Sequence, residues 1–196
     1  MADDRRRERA DAARNRRAIL DATAALLAED GWSGITMERV AAAAGVGKGT
    51  IFHRFGSRAG LLYELIGERA FALREAVRSG PPPLGPGAPA GERLLAYFDA
   101  MTLMAADTIE LVLAYQSMPP HPDGEELHTF WAAHISSLLR EARPDMDAEN
   151  ARTVGALLLA PLGGEVAHRM VQAGGLDQLR AGMRELVTAV LDNGPG

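Results

Sequence analysis

The chain has 196 residues, 47% of them hydrophobic, and a net charge of −5. That is apolar material enough for a substantial core in one or two domains, while the absence of cysteine excludes a disulfide framework and any thiolate metal site. The longest uncharged apolar run, residues 153–164, is too short to cross a bilayer, and the Arg-rich start lacks the apolar segment of a secretory signal, so a soluble, cytoplasmic protein with no membrane partner is expected.

In chain order, residues 1–10 form a basic arm without apolar periodicity. Residues 11–30 read as a helix, with Ile19, Leu20, Thr23, Leu26 and Leu27 recurring at steps of three and four, and Gly31 as its stop. Thr36 is placed to cap a short helix, Met-Glu-Arg-Val-Ala-Ala-Ala-Ala, that Gly45 ends. Gly47 opens the next helix, and Ser57 caps a fourth whose stripe is Leu62, Ile66, Ala70, Leu73 and Val77. Residues 79–91 hold five prolines and four glycines and are expected as a surface connection of poor order. Helices are then predicted over 92–108, 109–117, 125–142, 148–174 and 177–193, with Pro161 kinking the fourth of these. No stretch alternates with period two, so the fold class is all-α. The domains expected are an arm (1–10), a DNA-binding unit (11–56), a connecting helix (57–78), a linker (79–91) and a body (92–196).

Two short helices joined by a tight turn at Gly45 are how a helix-turn-helix offers one helix to a DNA major groove. Val40, Ala41, Ala44, Val46, Ile51 and Phe55 must then face inward, leaving Lys48, Thr50, Phe52, His53 and Arg54 on the groove side. The charge distribution agrees. Residues 1–60 carry 11 Lys and Arg against 8 Asp and Glu, a balance of +3, and the remainder carries 10 against 18, or −8. A basic module on an acidic body makes phosphate contact at one end. Arg5, Arg6, Arg7 and Arg9 are candidates for a flanking minor groove; a solvated tail is the alternative.

The run 31–62, Gly-Trp-Ser-Gly-Ile-Thr followed by AAAAGVGKGTIFHRFGSRAGLL, resembles the N-terminal domain of the TetR/AcrR family of transcriptional regulators. The resemblance covers about a quarter of the chain and is specific in spacing and order. It departs from the family pattern at Gly47, where serine is common, and at Phe52, where a phosphate-contacting tyrosine is usual; Arg58 keeps the charge of the usual lysine. It implies that Thr36 donates to a phosphate, that Lys48 meets a phosphate or a guanine edge, that Thr50 reaches a backbone oxygen or a base, and that His53 meets a phosphate, with Arg39 a secondary phosphate candidate. Gly47, Phe52, Arg54 and Arg58 complete the expected DNA-binding set.

The resemblance also implies a homodimer in which the last two helices pair with their two-fold mates. The expected interface is Leu158, Leu162, Val166, Met183, Leu186 and Val190, with Gly155, Gly163 and Gly164 allowing close helix approach. Two recognition helices about 34 Å apart would read a palindromic double-stranded DNA operator. The middle of the body concentrates Met and aromatic residues suited to a small apolar effector. Tyr97, Phe98, Met101, Met104, Tyr115, Met118, Trp131, His134 and Met170 are candidates, as are Glu165 and His168, although Glu165 has Arg169 one turn on as a surface partner. The five histidines show no metal spacing, no cofactor motif is present, and no nucleophile elbow, phosphate loop or catalytic carboxylate pair supports an enzyme. The expected function is a ligand-responsive repressor released from its operator. The same fold acting as an activator, or a ligand-binding scaffold with degenerate DNA binding, is the alternative.

Overall fold

The structure, a computed structural model, describes residues 2–116 and 122–192. Among these residues every regular element is helical: α1 (Ala2–Asp30), a 3-10 turn (Trp32–Gly34), α2 (Met37–Ala44), α3 (Lys48–Phe55), α4 (Arg58–Ser79), α5 (Ala90–Gln116), α6 (Pro122–Ala142), α7 (Ala148–Leu159), a second 3-10 turn (Ala160–Gly163), α8 (Glu165–Gln172) and α9 (Leu176–Asp192). No helix among them is long and apolar enough to cross a membrane. The chain forms two compact units, residues 1–67 and 68–196, and α4 runs through the boundary.

The first unit is built on the stripe Ile19, Leu20 and Thr23 of α1, which is buried together with Ile35, Met37, Val40, Ile51, Phe55, Leu61, Leu62 and Leu65. Thr23 is tolerated there because its hydroxyl donates to the Ile19 carbonyl at 2.7 Å. α1 differs from the expected helix in starting at Ala2 rather than near residue 11: the backbone of the basic arm is helical. Arg and Glu are good helix formers, so a polar extension needs no apolar stripe of its own.

In the second unit α5 packs on α6, α8 and α9, and α6 on α7, around Leu94, Tyr97, Phe98, Ile135, Leu138, Leu139, Ala151 and Val187. α5 is one helix where two were expected. Nothing between residues 92 and 116 is a Gly or Pro, and Thr108, which looked like a break, donates to the Met104 carbonyl at 2.8 Å instead of capping a new helix. At Pro161 the expectation of a kink is too mild. The proline sits in a 3-10 turn that separates α7 from α8, because its missing N–H and the two glycines that follow leave nothing to continue the ladder. Gly155, expected to allow close helix approach at the dimer interface, instead lies close to α6 of its own unit, since a Cβ there would lie 2.9 Å from Ile135 Cγ2.

The Pro/Gly connection is seated rather than loose. The Gly80 N–H donates to Ala76 O and the Gly85 N–H to Pro81 O, both at 3.0 Å, and Leu84 packs against the core of the second unit.

Candidate functional site

The helix-turn-helix is made by its caps. Thr36 is extended, and its Oγ1 accepts from the Arg39 N–H at 3.1 Å, which starts α2. Gly45 ends it in the left-handed region, φ 66° and ψ 28°, where a side chain would be strained. Its N–H and that of Val46 return to α2 carbonyls. Gly47 is the N-cap of α3 and supplies no side-chain bond. Val40, Ala41, Ile51 and Phe55 are buried as expected, while Ala44 and Val46 are half-buried.

α3 therefore presents Lys48, Gly49, Thr50, Phe52, His53 and Arg54 to the outside. Phe52 is 42% exposed, unusual for a free phenyl ring, with the Lys48 ammonium 5.6 Å from its centroid. Beside them a groove of about 720 Å³ is lined by Arg16, Gly49, Thr50, His53, Arg54 and Glu64.

Three of the sequence-expected cations are held by the domain itself. Arg39 pairs with Asp30 and donates to the Gly34 carbonyl at 2.7 Å. Arg54 donates to the Ala12 carbonyl at 2.9 Å. Arg58 lies over the Trp32 ring, its Cζ 3.5 Å from the centroid, and donates to the Trp32 carbonyl; burial pushes its pKa down. These guanidinium groups tie α2, α3 and α4 to α1 and the 3-10 turn, so the outward surface rests on Lys48, Thr50, Phe52 and His53. Sequence reasoning missed Trp32 and Asp30 as their anchors, and Glu38, which pairs with Lys48. An arginine at i+9 from an aspartate leaves no periodic signal.

With this geometry in view, residues 19–65 match the tetR family of bacterial regulatory proteins. This match lies within the first unit and spans the helix-turn-helix. Solved structures share its all-α fold across both units of the chain. A transcriptional regulator from Rhodococcus sp. Rha1 superposes with a TM-score of 0.69 at 18% identity, covering 90% of this chain and 95% of its own. The fatty acid degradation regulator FadR from Bacillus halodurans superposes with a TM-score of 0.66 at 20% identity, covering 90% and 97%. A TetR-family member from Streptomyces coelicolor A3 gives a TM-score of 0.61 at 22% identity, covering 90% and 97%. Comparison with curated proteins finds no match.

The second unit contains the expected effector residues, differently placed. Tyr97, Phe98, Met101 and Trp131 are buried in its core, with His134 half-buried against Tyr97 and Met104 partly buried at the margin. Burial pushes the Tyr97 phenol well above its ordinary range and, with the charge of Arg93, holds His134 below its own. The Nδ1 of His168 is buried without a partner. Glu165, by contrast, is exposed and faces Arg169 at 3.9 Å on the surface of α8, as the i+4 spacing allowed, so it does not belong with a buried site. The side chains of Tyr115 and Met118 lie outside the described residues.

The expected dimer residues also divide. Leu158, Leu162 and Met183 are buried inside their own unit and Val190 packs on that core. A stripe read from sequence cannot say which partner it faces, and here the i, i+4 set Leu179, Met183 and Val187 faces inward. Val166 and Leu186 are instead 53% and 51% exposed, with Leu157 at 67%. Val166 and Leu186 border an apolar groove of about 520 Å³ together with Pro161, Met170, Gly182 and Ala189.

Proposed function

We propose that this chain is a TetR-family regulator, a homodimeric, ligand-responsive repressor that acts in the cytoplasm, binds a palindromic operator and leaves it when a small, mostly apolar molecule binds the second unit. The observation that carries the DNA half of this reading is α3 itself. Ile51 and Phe55 lock it into the core, while Lys48, Thr50, Phe52 and His53 stand out from it with lengths and polarities suited to a major groove. Thr36 uses its oxygen as a cap, and its hydroxyl hydrogen is free to donate to phosphate. The exposure of Leu157, and of Val166 and Leu186 beside one apolar groove, supports self-association, because isolated domains seldom leave such large aliphatics open. Effector release needs only that the ligand bind better to the form whose helices no longer match the operator spacing.

The test is binding of the purified protein to DNA upstream of its own gene, at two salt concentrations and against a scrambled competitor. The expected outcome is a dimer bound to a palindrome, with affinity falling steeply as salt rises. Weak binding indifferent to sequence, there and across a random library, would overturn the reading.

A further inference from the structure

Three hydrogen-bond donors stand together in the second unit with no partner. Tyr97 Oη, Arg93 Nε and His134 Nε2 are buried atoms without a hydrogen bond, and Tyr97 as a residue is 0% exposed. Arg93 and Tyr97 lie one turn apart on the same face of α5. The Tyr97 and His134 rings are 5.3 Å apart at 62°, and the Arg93 charge is felt at His134. Aromatic rings wall the group: Phe98 lies edge-on to Tyr97 at 5.3 Å, Trp131 is 5.7 Å from it, and Phe130 is stacked parallel to His134 at 6.3 Å.

Such an arrangement is costly if nothing answers it. A buried polar group without a partner has lost its water for no return, and native proteins rarely leave one. Here there are three, and all can donate: a phenol, a guanidinium that never deprotonates, and an imidazole in one of its tautomers. No described carboxylate bonds to any of the three atoms. Neighbouring donors, one of them permanently cationic, call for an acceptor with negative charge, and the ring walls call for an aromatic body behind it.

We infer that Arg93, Tyr97 and His134 form the head-group site for an aromatic carboxylic acid, whose carboxylate accepts from the three donors while its ring packs among Phe98, Phe130 and Trp131. The inference rests on the effector-responsive reading above and names the class of effector.

Titration calorimetry of the full-length protein with benzoate, phenylacetate and 4-phenylbutyrate, each beside its neutral amide, tests it. At least one acid is expected to bind saturably and at least about tenfold tighter than its amide. Tyr97→Phe is expected to weaken the acid about tenfold and the amide, whose neutral carbonyl accepts less strongly, by clearly less. That variant deletes a hydroxyl which has no partner, so it folds at least as stably as the parent. Acid and amide binding equally, Tyr97→Phe without effect, or no acid binding up to about 10 mM would each overturn the inference. These failures are separable from failure of the regulator reading. Neutral molecules that release DNA would spare the regulator and sink the head-group site; acid binding in a protein that reads no operator would do the reverse.

Discussion

Lys48, in the first turn of α3, forms an ion pair with Glu38, in the first turn of α2. The pair is exposed, and the hydrogen bond from Lys48 holds the Glu38 carboxyl below its ordinary range. In the proposed DNA-binding role, Lys48 thus has a carboxylate competitor on the neighbouring helix. Glu38→Gln is expected to raise operator affinity roughly threefold at low salt, an advantage that fades as salt screens the exposed charge. Lys48→Ala in the same gel-shift or fluorescence-anisotropy assay should lower affinity by at least tenfold if the side chain reads a base. An unchanged or weaker Glu38→Gln complex would show that the pair presents Lys48 rather than restrains it.

The family's usual serine fits at position 47. Gly47 is already extended, φ −67° and ψ 141°, and a Cβ there meets only Thr50 Oγ1, at 3.8 Å. Gly47→Ser should therefore cap α3 without strain. Urea unfolding should show a gain of about 0.3 kcal/mol, the usual margin of a serine cap over glycine, and operator binding should tighten through the added hydroxyl.

If the proposed dimer forms through this face, Leu186→Glu or Val166→Glu should give a monomer in sedimentation that keeps its helical circular dichroism, because both positions are open in the single chain. Met183→Ala, one turn before Val187 on the buried side of α9, should instead cost about 2–5 kcal/mol of stability through the cavity it leaves. A dimer that survives both glutamate variants would move the interface elsewhere.

The pH dependence of stability should have two separate limbs. His134 is held below its ordinary value of 6.5, by burial first and by Arg93 second, so the unfolded chain protonates before the folded one. Stability should then fall as pH drops from about 7 toward 5, and His134→Gln should flatten this limb. Asp99 is lowered from 3.8 by its hydrogen bonds to Arg180, which form a bidentate clamp of two 2.9 Å bonds between α9 and α5. Its contribution is present above its ordinary value and lost as pH falls through the lowered one, so Asp99→Asn should weaken stability at pH 7 yet blunt the loss in strong acid. Urea midpoints across this range read both.

The helix-turn-helix was legible because its physics is local. A left-handed glycine, a threonine cap and i, i+4 apolar contacts all show as residue types at fixed spacing, and Val40, Ile51 and Phe55 fell where the pattern placed them. Charged side chains did not behave so simply. Arg39, Arg54 and Arg58 find partners 5 to 42 residues away, and whether an arginine meets phosphate or its own domain is decided by packing that no short pattern records. The same limit affected the body. Leu186 and Met183 belong to one helix and similar spacing, yet one faces out and the other in, and Glu165 found a surface cation where an effector contact was also open to it. What sequence could supply for the body was composition, and the aromatic cluster around Tyr97 was found that way.

The connection between α4 and α5 has a thermodynamic side that its contacts do not reveal. Its five prolines restrict the chain long before Leu84 reaches the core, so docking the segment surrenders few conformations. Exchanging prolines for more pliant residues could leave each contact of Leu84 and Gly85 as it is and still loosen the protein, through the disorder gained by the denatured chain. Much of what this segment gives to stability is held in the conformations that the protein is prevented from visiting.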